Sequence, residues 1–579
     1  MATLPPGLTL GAATPTTRGR SVLTTRAFGP GDLIATFLDP SPSVVLPDTP
    51  HLAQTCSYCL LPSLPSSPTP MRACSGCRTA HYCTPACQRL DWALAHGKGE
   101  CKAFRRVRAS ELNTATTTTT DDSGGGGGGG LRTLPTPTRA LLQVLLRRDV
   151  LAAFAGDRLE SHAQELKEAD PETWGDIELQ ARAALHFLRE KKKGKGKEGG
   201  KGEMEVEEES DEKVAEAVDV LCKLRVNSFN RLDTDLGQSG IYINPALAMV
   251  NHSCVPNAFV QFVGRNAMLH AFQDIKAGEE IEISYIDCTL HRSQRQTSLK
   301  TRYHFDCACP RCTDDLDVYQ VCQQYPHLPL NAFSLVPDLD LLRHPPIKQS
   351  LHSNSLLRQN VEEIYPLCSE QITAPERTGE LTRRWKLCGA LRMAGLFAIE
   401  PLASVLVEAS LYFSMRGKFA SGLTIASFLA LHSDPYKGPM PFYEPRVKRL
   451  FVIAKLLANT ASIDPSSTLV GRDAKIETKV FEALDGIDQA TMCQVILRIV
   501  VHHCPAAHST EWQVYREAKG LLDDIESLPG REQINALIDA FSANPDGEEE
   551  RRIFDIAVLD PIKALAGLAL EVMDAEFGT

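Results

Sequence analysis

No run of 18 apolar residues occurs in the 579-residue chain. The richest stretch, Met393 to Phe413, is interrupted by Glu400, Pro401 and Glu408. A membrane-spanning helix, which needs about 20 apolar residues, is therefore not expected. The first residues lack a charged segment followed by an apolar one, which argues against a secretory signal. An excess of positive charge is missing as well. Lys plus Arg number 61 against 72 Asp plus Glu, a net charge of −11. That balance excludes a chain that coats nucleic acid generally, while leaving room for a local basic patch. Wholesale disorder is excluded by 43% hydrophobic against 23% charged residues. At this length about three or four domains are expected.

Cysteine, by contrast, is plentiful and clustered. Of 18 cysteines, seven lie between Cys56 and Cys101 and three between Cys307 and Cys312. In a chain without a secretory signal such clusters read as metal sites rather than disulfides. The first cluster runs Cys56-x2-Cys59, Cys74-x2-Cys77, Cys83-x3-Cys87, His96-x4-Cys101. Eight soft ligands suffice for two closed tetrahedral zinc sites, and closed sites are structural. Zinc would supply the folding energy that a segment so poor in apolar residues lacks. Cys222, Cys288, Cys322, Cys368, Cys388, Cys493 and Cys504 have no ligand spacing and read as buried thiols. His502-His503-Cys504 lacks a second ligand pair and is read as structural.

Along the chain, residues 1–50 read as short strands, with Ser21–Thr24 and Leu33–Phe37 flanking the turn Gly29-Pro30-Gly31. Residues 114–130, Thr-rich and then Gly124–Gly130, read as a flexible loop. Helices are expected at Thr138–Leu146, Glu178–Arg189 and 213–226, and the charge block 191–212 between them reads as a solvated insertion. Ala258–Val263 and Ala267–Phe272 form an expected hairpin. Ala27–Ile34 and Asp274–Ile281 echo each other, each setting a small or acidic turn before a β-rich run. From about 316 onward helical periodicity dominates. Ala403–Phe413 and Phe419–Leu431 make a helix pair faintly like a tetratricopeptide unit, without a 34-residue period.

The chemistry-bearing motif is Asn251-His252-Ser253-Cys254, before Pro256-Asn257. Asn and His suit a small charged ligand, although the tetrapeptide alone also reads as a buried turn with satisfied hydrogen bonds. Gly278-Glu279-Glu280-Ile281-Glu282-Ile283-Ser284-Tyr285 follows, then Cys307-x-Cys309-x2-Cys312. These three thiolates need a fourth ligand, and Cys254 can supply it if the chain folds back. Alone, Tyr285 reads as a strand aromatic packed in the core.

Tyr82-Cys83, Gln88 and Trp92 complete a pattern that resembles the MYND zinc finger. The later motifs together resemble the SET lysine methyltransferase domain with its cysteine-rich post-SET tail. A finger interrupting a SET domain is similar to the SET-and-MYND family, a resemblance covering roughly residues 15–315. It implies an α+β fold: residues 1–55 begin a β-rich SET domain, and 56–101 are the inserted MYND finger. Residues 102–224 are a helical insertion and 225–300 the core SET domain. Residues 301–315 are the post-SET zinc segment and 316–579 an α-helical C-terminal domain. In that family the finger pairs interleave, so Cys56, Cys59, Cys83 and Cys87 would hold one zinc, and Cys74, Cys77, His96 and Cys101 another. The usual spacing between the His and the last Cys is three residues, here four. Cys254, Cys307, Cys309 and Cys312 would hold a third zinc.

The resemblance also implies S-adenosylmethionine as cofactor and a protein lysine, histone or otherwise, as substrate. Arg18 and Arg20 sit where the family has its N-terminal cofactor loop, with Arg18 facing the cofactor carboxylate. Asn251 and His252 would bind cofactor through side-chain and backbone groups, and Phe305 would cover the adenine. Asn227 matches a position close to the substrate, and Tyr285 matches the catalytic tyrosine, which also borders the cofactor. The finger resembles modules that take proline-containing peptides. A nucleus or cytoplasm location and no membrane partner are expected. Two rivals stand beside this reading. One is a non-catalytic adaptor with a degenerate SET domain, motivated by Arg20 and Ser21 where the family has smaller residues. The other is a DNA-associated regulator using the basic edge Lys98, Lys102, Arg105, Arg106 and Arg108, which also reads as a solvated face.

Overall fold

The structure is a computed structural model. It describes residues 4–11, 19–38, 42–63, 70–115, 134–156, 159–189, 210–233, 237–325, 335–336, 339–345, 347–368, 372, 376–438, 441–461 and 474–578. Arg18 lies outside them, as do residues 116–130 of the expected loop and 191–209 of the charge block. No described helix is long and apolar enough to cross a membrane.

Small, mostly antiparallel sheets form the β-rich part. Leu8–Leu10 pairs with Val22–Thr24, and Leu33–Phe37 pairs with Asn266–Ala271, which pairs in turn with Ala258–Val263. Val44–Pro47 and Phe229–Asp233 flank Gly237–Ile243. The two echoing segments lie against each other. Phe28 and Ile275 exchange both backbone hydrogen bonds at 2.9 Å. The turns that follow hold Gly31 at φ 84° and Gly278 at φ 80°, a region glycine enters without the Cβ penalty. Val22, Phe28, Ile34, Leu269, Ile275 and Ile283 are buried together beneath these strands.

The finger comprises a two-stranded ribbon, Arg72–Ala73 with His81–Tyr82, and the helix Pro85–Leu94. Thr84 caps that helix, its Oγ1 accepting the Cys87 N–H at 3.2 Å. The helix Glu100–Ala115 follows and takes in residues 114–115 of the expected loop. Helices Thr136–Leu146, Pro171–Leu188 and Asp211–Asn227 bury Leu141, Val144, Ala181 and Leu221 against Val44, Leu46 and Ile243. The second of these begins seven residues before the expected Glu178. Its start is fixed by Asp170, which accepts the Thr173 N–H at 3.0 Å, and by Pro171 in the first turn. Asp211 and Glu212, at the end of the charge block, open the third, where their charge complements the helix dipole.

Beyond the helix Arg292–Tyr303, the described residues are helical to Phe577, and they share one core that includes Trp385, Leu406, Phe413, Leu423, Ile496, Phe541 and Phe577. Leu402–Met415 and Phe419–His432 are the expected pair.

This helical part folds back onto the β-rich part. Phe442 packs on Phe259 and Phe272, with ring centroids 5.3 and 6.3 Å apart, and any side chain at Gly31 would press on its ring. Gln261 Nε2 reaches the carbonyls of Pro505 and Ala506 at 3.4 Å. Phe442→Ala is expected to cost about 1–2 kcal/mol in urea unfolding through lost ring packing, while the secondary structure survives. An unchanged midpoint would show that this joint carries no load.

Candidate active site and zinc centres

Three groups of four ligand residues converge: Cys56, Cys59, Cys83 and Cys87; Cys74, Cys77, His96 and Cys101; and Cys254, Cys307, Cys309 and Cys312. Within each group the ligand atoms lie within 4.8 Å of one another. Sulfur–sulfur distances are 3.6 Å for Cys59–Cys83, 3.5 Å for Cys83–Cys87, 3.9 Å for Cys74–Cys101 and 3.6 Å for Cys254–Cys312. A tetrahedron built on 2.3 Å zinc–sulfur bonds has an edge of about 3.8 Å. Disulfide sulfurs lie at about 2.05 Å. The distances therefore fit zinc and not disulfides, and the finger pairs interleave as the resemblance implied.

The four-residue spacing to Cys101 has a structural basis. Gly99 sits at φ 142°, and a Cβ there would lie 2.7 Å from Leu146. The extra residue next to it, Glu100, is completely buried. His96 Nδ1 lies 2.6 Å from Glu100 Oε2, so Nδ1–H donates to the carboxylate and leaves the Nε2 lone pair for metal, 3.4 Å from Cys77 Sγ. Arg139 Nε donates to Glu100 Oε1 at 2.8 Å, and Gln143 Nε2 to the same oxygen at 3.2 Å. Against the cost of burial, Arg139 and His96 hold the Glu100 carboxyl well below the usual carboxylate range. Sequence reasoning passed over Glu100. Its one signal is an acid four residues after a ligand His, the spacing that puts both on one helical face.

The candidate catalytic segment is set by a two-residue parallel pairing, Asn251–His252 with Glu282–Ile283. Asn257 staples the pair, with Nδ2 donating to Glu280 O at 2.8 Å and Oδ1 accepting the Glu282 N–H at 2.9 Å. The Asn251 amide donates to Arg20 O at 2.7 Å and Glu280 Oε1 at 2.8 Å. This pins the N-terminal loop to the motif. Tyr285 N–H donates to His252 Nδ1 at 3.1 Å, and its hydroxyl donates to Val250 O at 2.5 Å. Burial pushes the Tyr285 phenol up, so it stays protonated at neutral pH. Tyr303, absent from the sequence-based candidates, packs with its ring tilted 42° and 4.9 Å from that of Tyr285, and its hydroxyl donates to Tyr285 O at 3.4 Å. The Phe305 ring lies 6.0 Å from His252.

A cavity of about 1780 Å³ opens on this segment. Arg20, Asn227, Asn251, Tyr285, Tyr303 and Phe305 stand in its wall, and Asn227 is fixed there by donating to Glu160 O and Lys223 O at 2.8 Å. His252 lies behind the wall rather than in it. Phe442, Tyr443 and Trp512 of the helical part close the opposite side. Small-molecule pockets span about 300–1,000 Å³. This cavity therefore has room for a cofactor and a second reactant. Its aromatic rings suit an adenine, and its polar groups suit the charged end of an amino-acid moiety.

The SET domain family matches residues 19–286. "SET domain and MYND-type zinc finger protein 6" of Schizosaccharomyces pombe is 31% identical over 269 residues, which are 46% of this chain and 45% of that protein. "Histone-lysine N-methyltransferase ASHR1" of Arabidopsis thaliana is 25% identical over 385 residues, 64% and 68% of the two chains. "Histone-lysine N-methyltransferase SMYD3" of Homo sapiens is 27% identical over 270 residues, 45% and 52%. The match thus spans about half the length of the first and third of these relatives. Pairing, zinc geometry and these likenesses agree: residues 19–286 match the SET domain family, and the ligand groups around them are similar in arrangement to the SET-and-MYND proteins.

Proposed function

We propose that the protein transfers a methyl group from S-adenosylmethionine to the side-chain amine of a lysine in a protein substrate, a histone or another. The observation that carries this is one cavity whose wall holds Tyr285, Asn251 and Phe305 together with Phe442, Tyr443 and Trp512 of the helical part. S-adenosylmethionine supplies the electrophilic methyl group. The chain's own residues do the rest. Phe305 and Tyr303 offer apolar faces to a base, and Asn251 holds the Arg20 loop against the motif. A lysine entering among Phe259, Phe272 and Phe442 loses water, which lowers its pKa and favours the neutral, nucleophilic amine. Tyr285, protonated and oriented by two hydrogen bonds, positions that amine for in-line attack. The finger is assigned to proline-containing peptides, for which Trp92, 50% exposed and edge-on to His96, provides an apolar platform.

The test is calorimetric titration of the zinc-loaded protein with S-adenosylmethionine, followed by radiolabelled transfer to candidate protein substrates. Tyr285→Phe is expected to bind cofactor within about 2-fold of wild type and to lose roughly 100-fold in turnover, the scale of one positioned polar group. No saturable binding by the folded wild-type protein would sink the enzyme reading. Partner capture through the finger would then remain.

A further inference from the structure

We propose that the His252 side chain is a positioning residue that couples the third zinc centre to Tyr285, its Nε2–H bonded to the Cys254 thiolate while Nδ1 holds the Tyr285 backbone N–H. The assignment of protons follows from valence. A backbone N–H can only donate, so Nδ1, 3.1 Å away, presents its lone pair. A neutral imidazole then carries its hydrogen on Nε2, which lies 3.3 Å from Cys254 Sγ. Cys254 belongs to the third ligand group, 3.6 Å from Cys312 Sγ.

The surroundings give this imidazole little freedom to do anything else. His252 is 6% exposed and stands behind the cavity wall. Its ring is wedged between Tyr285, 5.2 Å away, and Phe305. Four thiolates around one divalent ion carry a net charge of −2, and hydrogen-bond donors to sulfur spread it. Arg295 Nη2 donates to Cys312 Sγ at 3.6 Å, so His252 supplies a second donor, on a different ligand. The chain from metal to phenol is short and rigid. Cys254 is two residues from His252, His252 pairs with Ile283, and Tyr285 is two residues further on. Displacing the metal shifts Cys254, releases the Tyr285 N–H and lets the phenol drift from Val250 O.

The role of Tyr285 in this proposal rests on the methyltransferase reading, whereas the imidazole-to-thiolate hydrogen bond does not. The experiment separates the two. Full-length protein is loaded with Co²⁺ and compared as wild type, His252→Leu and His252→Gln. Gln can place an amide nitrogen near the Nε2 position, so it keeps a donor for sulfur that Leu lacks. His252→Leu is expected to move part of the thiolate-to-cobalt charge-transfer absorption to lower energy. It should also lose one of three metal equivalents at about 10–100-fold lower chelator concentration. Hydrogen exchange of the Tyr285 amide should rise in His252→Leu and in wild type stripped of its third metal. His252→Gln should restore the spectrum and the metal retention. In turnover, His252→Leu should lower kcat at least 10-fold, with S-adenosylmethionine affinity changed less than 3-fold. An unmoved cobalt spectrum together with an unchanged Tyr285 exchange rate would overturn the coupling. Wild-type protein without methyl transfer, but with the expected spectral and exchange changes, would overturn the enzyme reading alone.

Discussion

Cys309→Ser is expected to leave the protein with two zinc equivalents instead of three and to weaken S-adenosylmethionine binding at least 100-fold. Cys309 is completely buried, and the local core around it consists of Cys254, Cys307, Cys312, Leu299 and Tyr303. With Cys309 included, four of the six residues are ligands, so little apolar packing remains once the metal has gone. Among the described residues from 304 to 313, the single regular element is the four-residue helix Pro310–Thr313. Structural zinc contributes an apparent ~10–16 kcal/mol in small finger peptides, far beyond what so short a segment recovers by packing. A serine hydroxyl is a poor substitute for a thiolate on zinc. Phe305 stands in the cavity wall on this segment, with Tyr303 at the end of the helix that leads into it, and Phe305 loses its position when the segment does. Metal analysis and calorimetry together check this. Cys222→Ser, at a buried thiol outside the ligand groups, should keep three zincs. Three zincs and wild-type cofactor affinity in Cys309→Ser would show that the cluster does not fasten the tail.

Glu100→Gln is expected to destabilise the junction between the finger and the helical insertion by about 3–5 kcal/mol, the cost of breaking a buried ion pair from one side. Arg139 is 1% exposed and would be left with a buried, uncompensated charge. Its Nη1 already lacks a hydrogen-bond partner, and the other buried carboxylate close enough to act on it, Asp91, is held by the Tyr82 hydroxyl. The change also removes the carboxylate that orders His96, and zinc affinity at that site should fall about 10–100-fold. Urea unfolding and chelator competition report the two effects separately. Removing both partners, Glu100→Gln with Arg139→Met, should recover a large part of the stability and little of the zinc affinity, since the orienting carboxylate stays absent. A loss below about 1 kcal/mol in Glu100→Gln would mean that water reaches the pair and screens it.

The two cases differ in how far they could be read from the chain. Cys309 is named by its neighbours, because a thiolate two or three residues from another can reach the same metal within one knuckle. Glu100 is an acid in a charged stretch, and beyond its place four residues after His96 nothing local distinguishes it from a solvated side chain. Its partner Arg139 is 39 positions away on another helix. The same contrast holds in the candidate active site. Tyr285 and Asn251 stand inside recognisable motifs. Tyr303 and Glu280 become part of the site only because the strand pairing and the post-SET turn bring them to Tyr285 and Asn251. The helix at 171 was legible at its apolar centre but not at its start, which the Asp170 cap decides.

By itself, then, the sequence determined the zinc-ligand motifs, the motifs carrying Asn251 and Tyr285, the helical character beyond residue 316 and the echoing turns at Gly31 and Gly278. Each of these depends on chemistry or periodicity within a few residues, where chain connectivity already enforces proximity. Tertiary structure alone decided that Glu100 and Arg139 meet in the dark behind His96, and that the His252 ring, outside the cavity lining, lies between the Tyr285 backbone and the Cys254 sulfur. It also decided that Phe442 and Trp512, more than 150 residues beyond Tyr285, complete the cavity it faces. Such contacts exist only once separate cores have packed, because burial, and not spacing, selects which distant polar and aromatic groups must find each other.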